Sequence, residues 1–368
     1  MYSKIVAMLL LGASVTMAQE NSLLEDSFKN GSHSGHIGWY GQQKDPKNAS
    51  KEGFSGGSAS VNFETAPLRG ATLGLGVWGS LKTSEKNDGD YKTAITDKSI
   101  IHNAFIKVEH EGMGKVIAGR QEVDFEWMSD FIEGATVEIG AIENLVLSMA
   151  WAKKQATVGF DEITEFVNVN TNDGLYMVDA KYTPNKWLEL NPYYYHANNI
   201  MTAPGIKTTL FLEISEDIKT ATMLGYTKAN SDDTNTENGY VARIEQGIEL
   251  FGANLTVGYI KVDKKGAGGL GTFGDQMPLE EGNKILETDA RTPYASVEYE
   301  IEGVKLGAKY AQTKYLDAGV ALKEKEFDFN IGYEFYKNLE ASLVYANIEN
   351  DADTDSYNII KALVSYKF

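Results

Sequence analysis

The chain of 368 residues carries 52 acidic against 34 basic side chains, a formal net charge of −18, and no cysteine. That balance excludes nucleic acid as a partner, and the missing cysteine excludes a disulfide framework, Cys-ligated zinc and thiol chemistry. Beyond residues 1–18 no apolar run approaches the roughly 20 residues of a membrane-spanning helix, which leaves either a soluble fold or a membrane β-barrel.

Met1-Tyr2-Ser3-Lys4 precedes an almost wholly apolar run over residues 5–15 and the small residues Thr16 and Ala18. Residues 1–18 read as a cleaved secretory signal peptide. Residues 19–31 follow as a periplasmic lead-in, and residues 32–368 as a single barrel domain.

From Ser32 onward, runs of about 10 residues alternate with period 2, are rich in Val, Ile, Tyr, Phe and Thr, and are bounded by Gly, Asn, Asp or Pro. About eighteen such runs are expected, with sixteen the alternative. The links between them alternate short and long. Residues 111–114, 302–303 and 336–338 are among the short ones; residues 44–53, 83–99, 121–133, 155–173, 198–205, 230–238, 264–291, 315–325 and 351–356 are long. Tight periplasmic turns opposite longer extracellular loops are the mark of an all-β, transmembrane antiparallel barrel with both ends in the periplasm.

In Ala71-Thr72-Leu73-Gly74-Leu75-Gly76-Val77 and Phe327-Asp328-Phe329-Asn330-Ile331, one face is apolar and the other polar. A Lys or Arg at the lipid midplane costs about 2–4 kcal/mol, so charged alternate positions point into a wet lumen. By this parity Lys107, Glu109, Glu138, Asp179, Lys181, Arg243, Glu245, Glu298, Glu300, Lys305, Lys309, Asp328 and Glu334 are pore-lining candidates. The aromatics Trp39-Tyr40, Trp78, Trp187, Tyr193-Tyr194-Tyr195, Tyr259, Tyr310, Tyr333 and Phe335-Tyr336 are candidates for interfacial girdles.

The stretch from Gly119 to Gly134 differs from the runs around it. Between its glycines stand five carboxylates, one arginine and three aromatics, too apolar for a solvated loop and too charged for a buried strand. It reads as the third extracellular loop, folded inward, with Arg120, Asp124, Glu126, Asp130 and Glu133 at the constriction and Phe125, Trp127 and Phe131 packed on the wall. Lys107 would join Arg120 in setting a field across the pore.

Asp351, Asp353 and Asp355 alternate in an acidic loop and could attract Ca²⁺, although the glycine and distal glutamate of an EF-hand are missing. No other cofactor is implied. His33, His36, His102, His110 and His196 are scattered and accompany no nucleophile-elbow motif, which speaks against a lipid hydrolase.

The chain resembles the OprD-type porins and the major outer-membrane proteins of Campylobacter-like bacteria. The likeness lies in Leu23-Leu24-Glu25-Asp26-Ser27-Phe28-Lys29-Asn30-Gly31, in Gly119-Arg120-Gln121 with its acidic-aromatic continuation to Glu133-Gly134-Ala135, and in the terminal Tyr366-Lys367-Phe368. The resemblance implies an 18-stranded outer-membrane barrel with its third extracellular loop inside. The terminal Phe368 resembles the signal read by the barrel-assembly machinery. The function expected is passive diffusion of small hydrophilic solutes and ions, with cations preferred; a surface adhesion barrel is the alternative. Outer-membrane lipid and lipopolysaccharide are the expected surroundings, with monomer and homotrimer both open.

Overall fold

The computed structural model describes residues 20–170, 173–232, 236–275 and 277–368; residues 1–18, read above as a signal peptide, lie outside them. The period-2 segments form β1 (Ser32–Pro46), β2 (Glu52–Glu64), β3 (Ala71–Glu85), β4 (Ser99–His110), β5 (Gly114–Phe125), β6 (Met128–Ile142), β7 (Leu145–Ala156), β8 (Val167–Asn168) and β9 (Leu175–Asn185). They continue as β10 (Leu188–Ala197), β11 (Met201–Ser215), β12 (Ile218–Ser231), β13 (Gly239–Leu250), β14 (Ala253–Val262), β15 (Thr288–Ile301), β16 (Val304–Asp317), β17 (Val320–Tyr336), β18 (Leu339–Asn350) and β19 (Tyr357–Lys367).

The two-residue β8 pairs with β7 alone. Each of the other eighteen strands pairs antiparallel with both its neighbours, and β1 closes on β19 from His36 opposite Lys367 to Pro46 opposite Tyr357. Eighteen wall strands, not sixteen, therefore make a closed barrel. Closure satisfies every ladder without an edge, the condition for crossing lipid with strands.

The two faces separate as the alternation requires. Leu73, Leu75 and Val77 on β3, Val297, Tyr299 and Ile301 on β15, and Phe327, Phe329 and Phe335 on β17 are exposed outward, toward lipid. Thr72, Tyr294, Glu326 and Asp328, from the alternate positions, are buried inside. Short turns such as Glu302-Gly303, with φ of 50° and 80°, link strands on the periplasmic side.

Several sequence expectations need correction. Residues 198–205 and 315–325 are not long loops: β11 starts at Met201, and β16 and β17 meet across Ala318-Gly319. Trp78, Tyr40, Tyr193 and Tyr195 belong to no lipid girdle. Their parity turns them inward, where Tyr40, Tyr193 and Tyr195 are buried and Trp78 meets the rings of His36, His102 and Phe160 at steep angles. The lead-in contains a helix, Glu20–Lys29, held at the periplasmic mouth by the Ala66 N–H donating to the Ser27 carbonyl at 2.8 Å and by Phe28 stacking on Phe63.

Candidate pore constriction

Gly119 and Gly134 face each other in the β5–β6 ladder. A Cβ on Gly119 would lie 2.1 Å from the Ala104 carbonyl oxygen and one on Gly134 1.9 Å from that of Trp151, so the flanking strands approach both backbones too closely for a side chain. Just above them the wall ladders stop. β4 pairs with β5 only as far as Arg120, and β6 pairs with β7 only from Phe131. β5 and β6 continue with each other to Phe125 opposite Met128.

The segment of residues 121–133 is therefore a β-hairpin closed by Glu126-Trp127, and not the irregular loop expected. Its strands do alternate: Gln121 and Val123 are buried while Glu122 and Asp124 are exposed. The period of 2 persists here, with the apolar side facing a core inside the barrel instead of lipid.

The hairpin crosses a chord of the barrel. At its tip, the Trp127 backbone N–H donates to Tyr195 Oη on β10 at 3.1 Å, and the indole Nε1 donates to Thr227 Oγ1 on β12 at 3.0 Å. Glu126 is ion-paired with Lys207 on β11. Trp127, Met128 and Val123 enter a buried cluster with Tyr193, Tyr195, Leu270, Phe273 and Ile285.

Two further segments enter the lumen. The loop after β7 brings Phe160 against His36 and Trp78, with ring centroids at 4.5 and 5.4 Å. The connection between β14 and β15 is fastened to the wall of β16–β19. Lys309 donates to the Pro278 carbonyl at 2.6 Å, the N–H groups of Glu281 and Gly282 donate to Glu326 at 2.8 and 3.0 Å, and Lys361 bridges Glu280 and Glu281, each at 2.8 Å. Lys154, Lys207, Glu326 and Lys361 were missed in the sequence. Glu326 shares the parity of Asp328, and Lys361 alternates with the outward Ile360, Val364 and Tyr366, so the signal was available for both.

The five constriction candidates do not form one ring. Arg120 and Lys154 clasp Glu133 at 3.0 and 3.2 Å near the root of the hairpin, with Arg120 lying over the Phe166 ring. Asp124 and Glu126 line a cavity of about 420 Å³ on the periplasmic side of the hairpin, shared with Glu122, Glu138, Asp179, Glu189, Lys115, Lys181 and Lys207. Asp130 lies on another side, where the Val158 N–H donates to its carboxylate at 3.4 Å. Of the expected wall aromatics, Trp127 docks on β10 and β12, Phe131 meets His102 edge-on at 5.1 Å, and Phe125 packs against the inner cluster.

The pore-lining candidates carry the inward parity. Lys107 pairs with Glu64 at 2.8 Å, Glu138 with Lys115 at 3.2 Å, and Lys181 with Glu189 at 2.9 Å. Asn191 donates to Asp179 at 2.8 Å. Arg243 and Glu245 are joined with Tyr294, while Glu300 stands opposite Lys305 and Glu298 one inward position away. Lys309 and Asp328 hold the β14–β15 connection, Asp328 accepting from the Glu280 N–H at 3.2 Å. Glu109 is exposed near the periplasmic turn, and Glu334 accepts the Asn338 N–H at 2.7 Å, also at a turn.

On the extracellular side a second cavity, about 470 Å³, is lined by Glu52, Asp90, Asp161, Glu162, Glu281, Lys44 and Lys361. Burial, then the charges of Asp161 and Asp130, hold the Glu162 carboxyl above the usual glutamate range.

His36 lies between Ser58 and Ser60, its ring nitrogens 2.9 and 2.7 Å from their hydroxyls, and is covered by Trp78 and Phe160. These contacts pack the barrel interior. In the acidic loop, Asp351 is 3.8 Å from Lys323 and Asp355 is 3.3 Å from Lys284, while the side chain of Asp353 is not among those described. Among the described residues no three His, Asp or Glu side chains converge as a metal site.

Residues 32–210 match a protein family described as "Putative outer membrane protein". No curated protein sequence matches the chain. Among solved structures, Pseudomonas aeruginosa OpdQ aligns at 16% identity with a TM-score of 0.74, over 92% of this chain and 99% of that one. P. aeruginosa OpdK, determined with vanillate, aligns at 14% identity and a TM-score of 0.77, over 93% and 99% of the two chains. Acinetobacter baumannii OccAB3 aligns at 13% identity and a TM-score of 0.78, over 92% and 99%. At these identities the likeness is one of fold. The chain is an outer-membrane β-barrel with the eighteen-stranded architecture that the OprD-type resemblance implied.

Proposed function

We propose that this outer-membrane barrel is a passive, water-filled diffusion channel for small hydrophilic solutes and ions, and that it prefers cations. The observation that carries the reading is the charge of the two cavities beside the inward segments. Six carboxylates face three lysines on the periplasmic side, and five carboxylates face two lysines on the extracellular side. Selectivity in such a passage follows from its width and the field of its lining groups, and an excess of fixed negative charge raises the local concentration of cations.

Planar-bilayer recordings in a KCl gradient test both parts. The expected result is a stable open conductance with a reversal potential on the cation side, larger at low salt because screening weakens exposed charges. A reversal potential on the anion side refutes the selectivity, and a barrel that inserts without conducting refutes the channel.

A further inference from the structure

On the extracellular ends of β14–β17 the sheet register sets cations against one another. Lys261 stands opposite Arg291, Arg291 opposite Lys314, and Lys314 opposite Lys323. Four positive side chains thus occupy one row on four adjacent strands, a span of about 14 Å at the usual strand spacing. Like charges directly opposite each other destabilise a sheet. The row shares the parity of Tyr259, Val297, Tyr310 and Phe327, which are exposed toward lipid, so it faces outward and not into the pore.

The local acids neutralise the row only in part. Asp289 pairs with both Lys261 and Arg291, and Asp351 is 3.8 Å from Lys323. Among the described residues Lys314 has no ion-pair partner. Beside the row, between β1 and β17–β19, lies a polar cavity of about 580 Å³ where Lys47, Lys323 and Lys325 stand with Asp45, Glu349 and Asp351. Lys228, also on the outward face, stands opposite Tyr240 and not another cation.

We propose that the row Lys261, Arg291, Lys314 and Lys323 is a binding site for the phosphate groups of an outer-leaflet glycolipid. The row lies one outward position beyond Tyr259 and two beyond Tyr310 and Phe327, where the headgroup layer meets the apolar wall. Phosphate oxygens there would take charge-assisted hydrogen bonds from the lysines and a forked pair from Arg291, offsetting the repulsion that the register creates. The acyl chains would lie along the aromatic side chains beneath. The site is outside the pore and stands whether or not the barrel conducts.

The test uses the purified full chain in detergent, with lipid binding measured by native mass spectrometry. The probe is the bisphosphorylated lipid anchor of lipopolysaccharide, compared with the same lipid stripped of its phosphates. The wild-type barrel is expected to retain the phosphorylated probe, the Lys314→Gln/Lys323→Gln variant to bind it about tenfold more weakly, and the Lys228→Gln control to match wild type. Slower gel migration after heating identifies folded barrel in each sample. If the double variant does not fold, Lys314→Gln alone is expected to show about a threefold loss. Equal binding by wild type and variant overturns the proposal, as does equal binding of the dephosphorylated probe. A variant that changes only the proportion of dimers, leaving lipid retention intact, overturns it in favour of contact between barrels.

Discussion

Trp127 Nε1 donates to Thr227 Oγ1 at 3.0 Å, joining the tip of the β5–β6 hairpin to a wall strand 100 residues further along the chain. The indole is 3% exposed, so both its burial and its hydrogen bond hold the hairpin across the lumen. Trp127→Ala should cost about 3–5 kcal/mol of local docking energy, the usual loss for a buried tryptophan. Trp127→Phe should cost less, about 0.5–1.5 kcal/mol for the lost indole hydrogen bond, because the Thr227 and Tyr193 hydroxyls keep their own bond at 2.7 Å. The expected outcome in single-channel records is a larger and noisier conductance for the alanine variant and an intermediate one for phenylalanine. Unchanged conductance in both would mean that the hairpin does not limit the passage.

Gly119 and Gly134 mark where the hairpin leaves the wall, and Gly119 also has φ of 127°. Valine at either position must push the neighbouring strand away or shift the hairpin. Strain of this kind costs on the order of 1–3 kcal/mol. The measurable result is a lower fraction of heat-modifiable, folded barrel after refolding, with Gly119→Val the more damaging because its φ adds to the clash. Alanine at Gly140, where a Cβ meets nothing within 4 Å, should be neutral.

Lys361 is the cation that fastens Glu280 and Glu281 to the wall. Lys361→Met leaves two carboxylates unpaired beside buried Glu326, and should release the β14–β15 connection. Limited proteolysis of the folded barrel should then cut within residues 275–287 at least several times faster than in wild type. Lys325→Met removes an exposed pair with Glu349 and should not alter the cleavage, as exposed ion pairs contribute about 0–1 kcal/mol.

Glu162 bears on pH dependence. Its carboxyl protonates above the ordinary glutamate value of about 4.3, so acidification removes its charge before that of an unperturbed carboxylate. Cation preference should therefore begin to fall at a pH above that value and continue to fall as the other lining acids protonate. In Glu162→Gln the early part of the decline should be absent, with the reversal potential at neutral pH already shifted toward zero. A wild-type titration with no component above about 4.3 would count against Glu162 as a lining charge.

Much of the architecture was legible because lipid and lumen impose a period of 2. Leu73, Leu75 and Val77 announce an outward face, and Lys107, Glu138, Asp179 and Asp328 fall inside by the same rule. The rule fails where the inside is itself apolar. Tyr193 and Tyr195 looked like girdle residues, yet they are buried behind Trp127, because the inward segments give this barrel a second hydrophobic interior. Residues 264–287 have no period to read, so the clasp of Lys361 on Glu280 and Glu281 depends on contacts across some 80 residues of sequence and leaves no local trace. The hairpin at Gly119–Gly134 was conspicuous for its composition, and its inward course follows from the two glycines, but its far anchors could come only from the closed barrel.

The hairpin has a mechanical consequence as well. A thin-walled tube in a bilayer deforms most easily by becoming elliptical, since that needs only small changes of angle between neighbouring strands. Rooted between β4 and β7 and pinned to β10, β11 and β12, the hairpin is a strut fixed at both ends. It resists any flattening that would change the length of that chord, so the cross-section of the wall and the width of the passage are set by the same few contacts at Glu126 and Trp127.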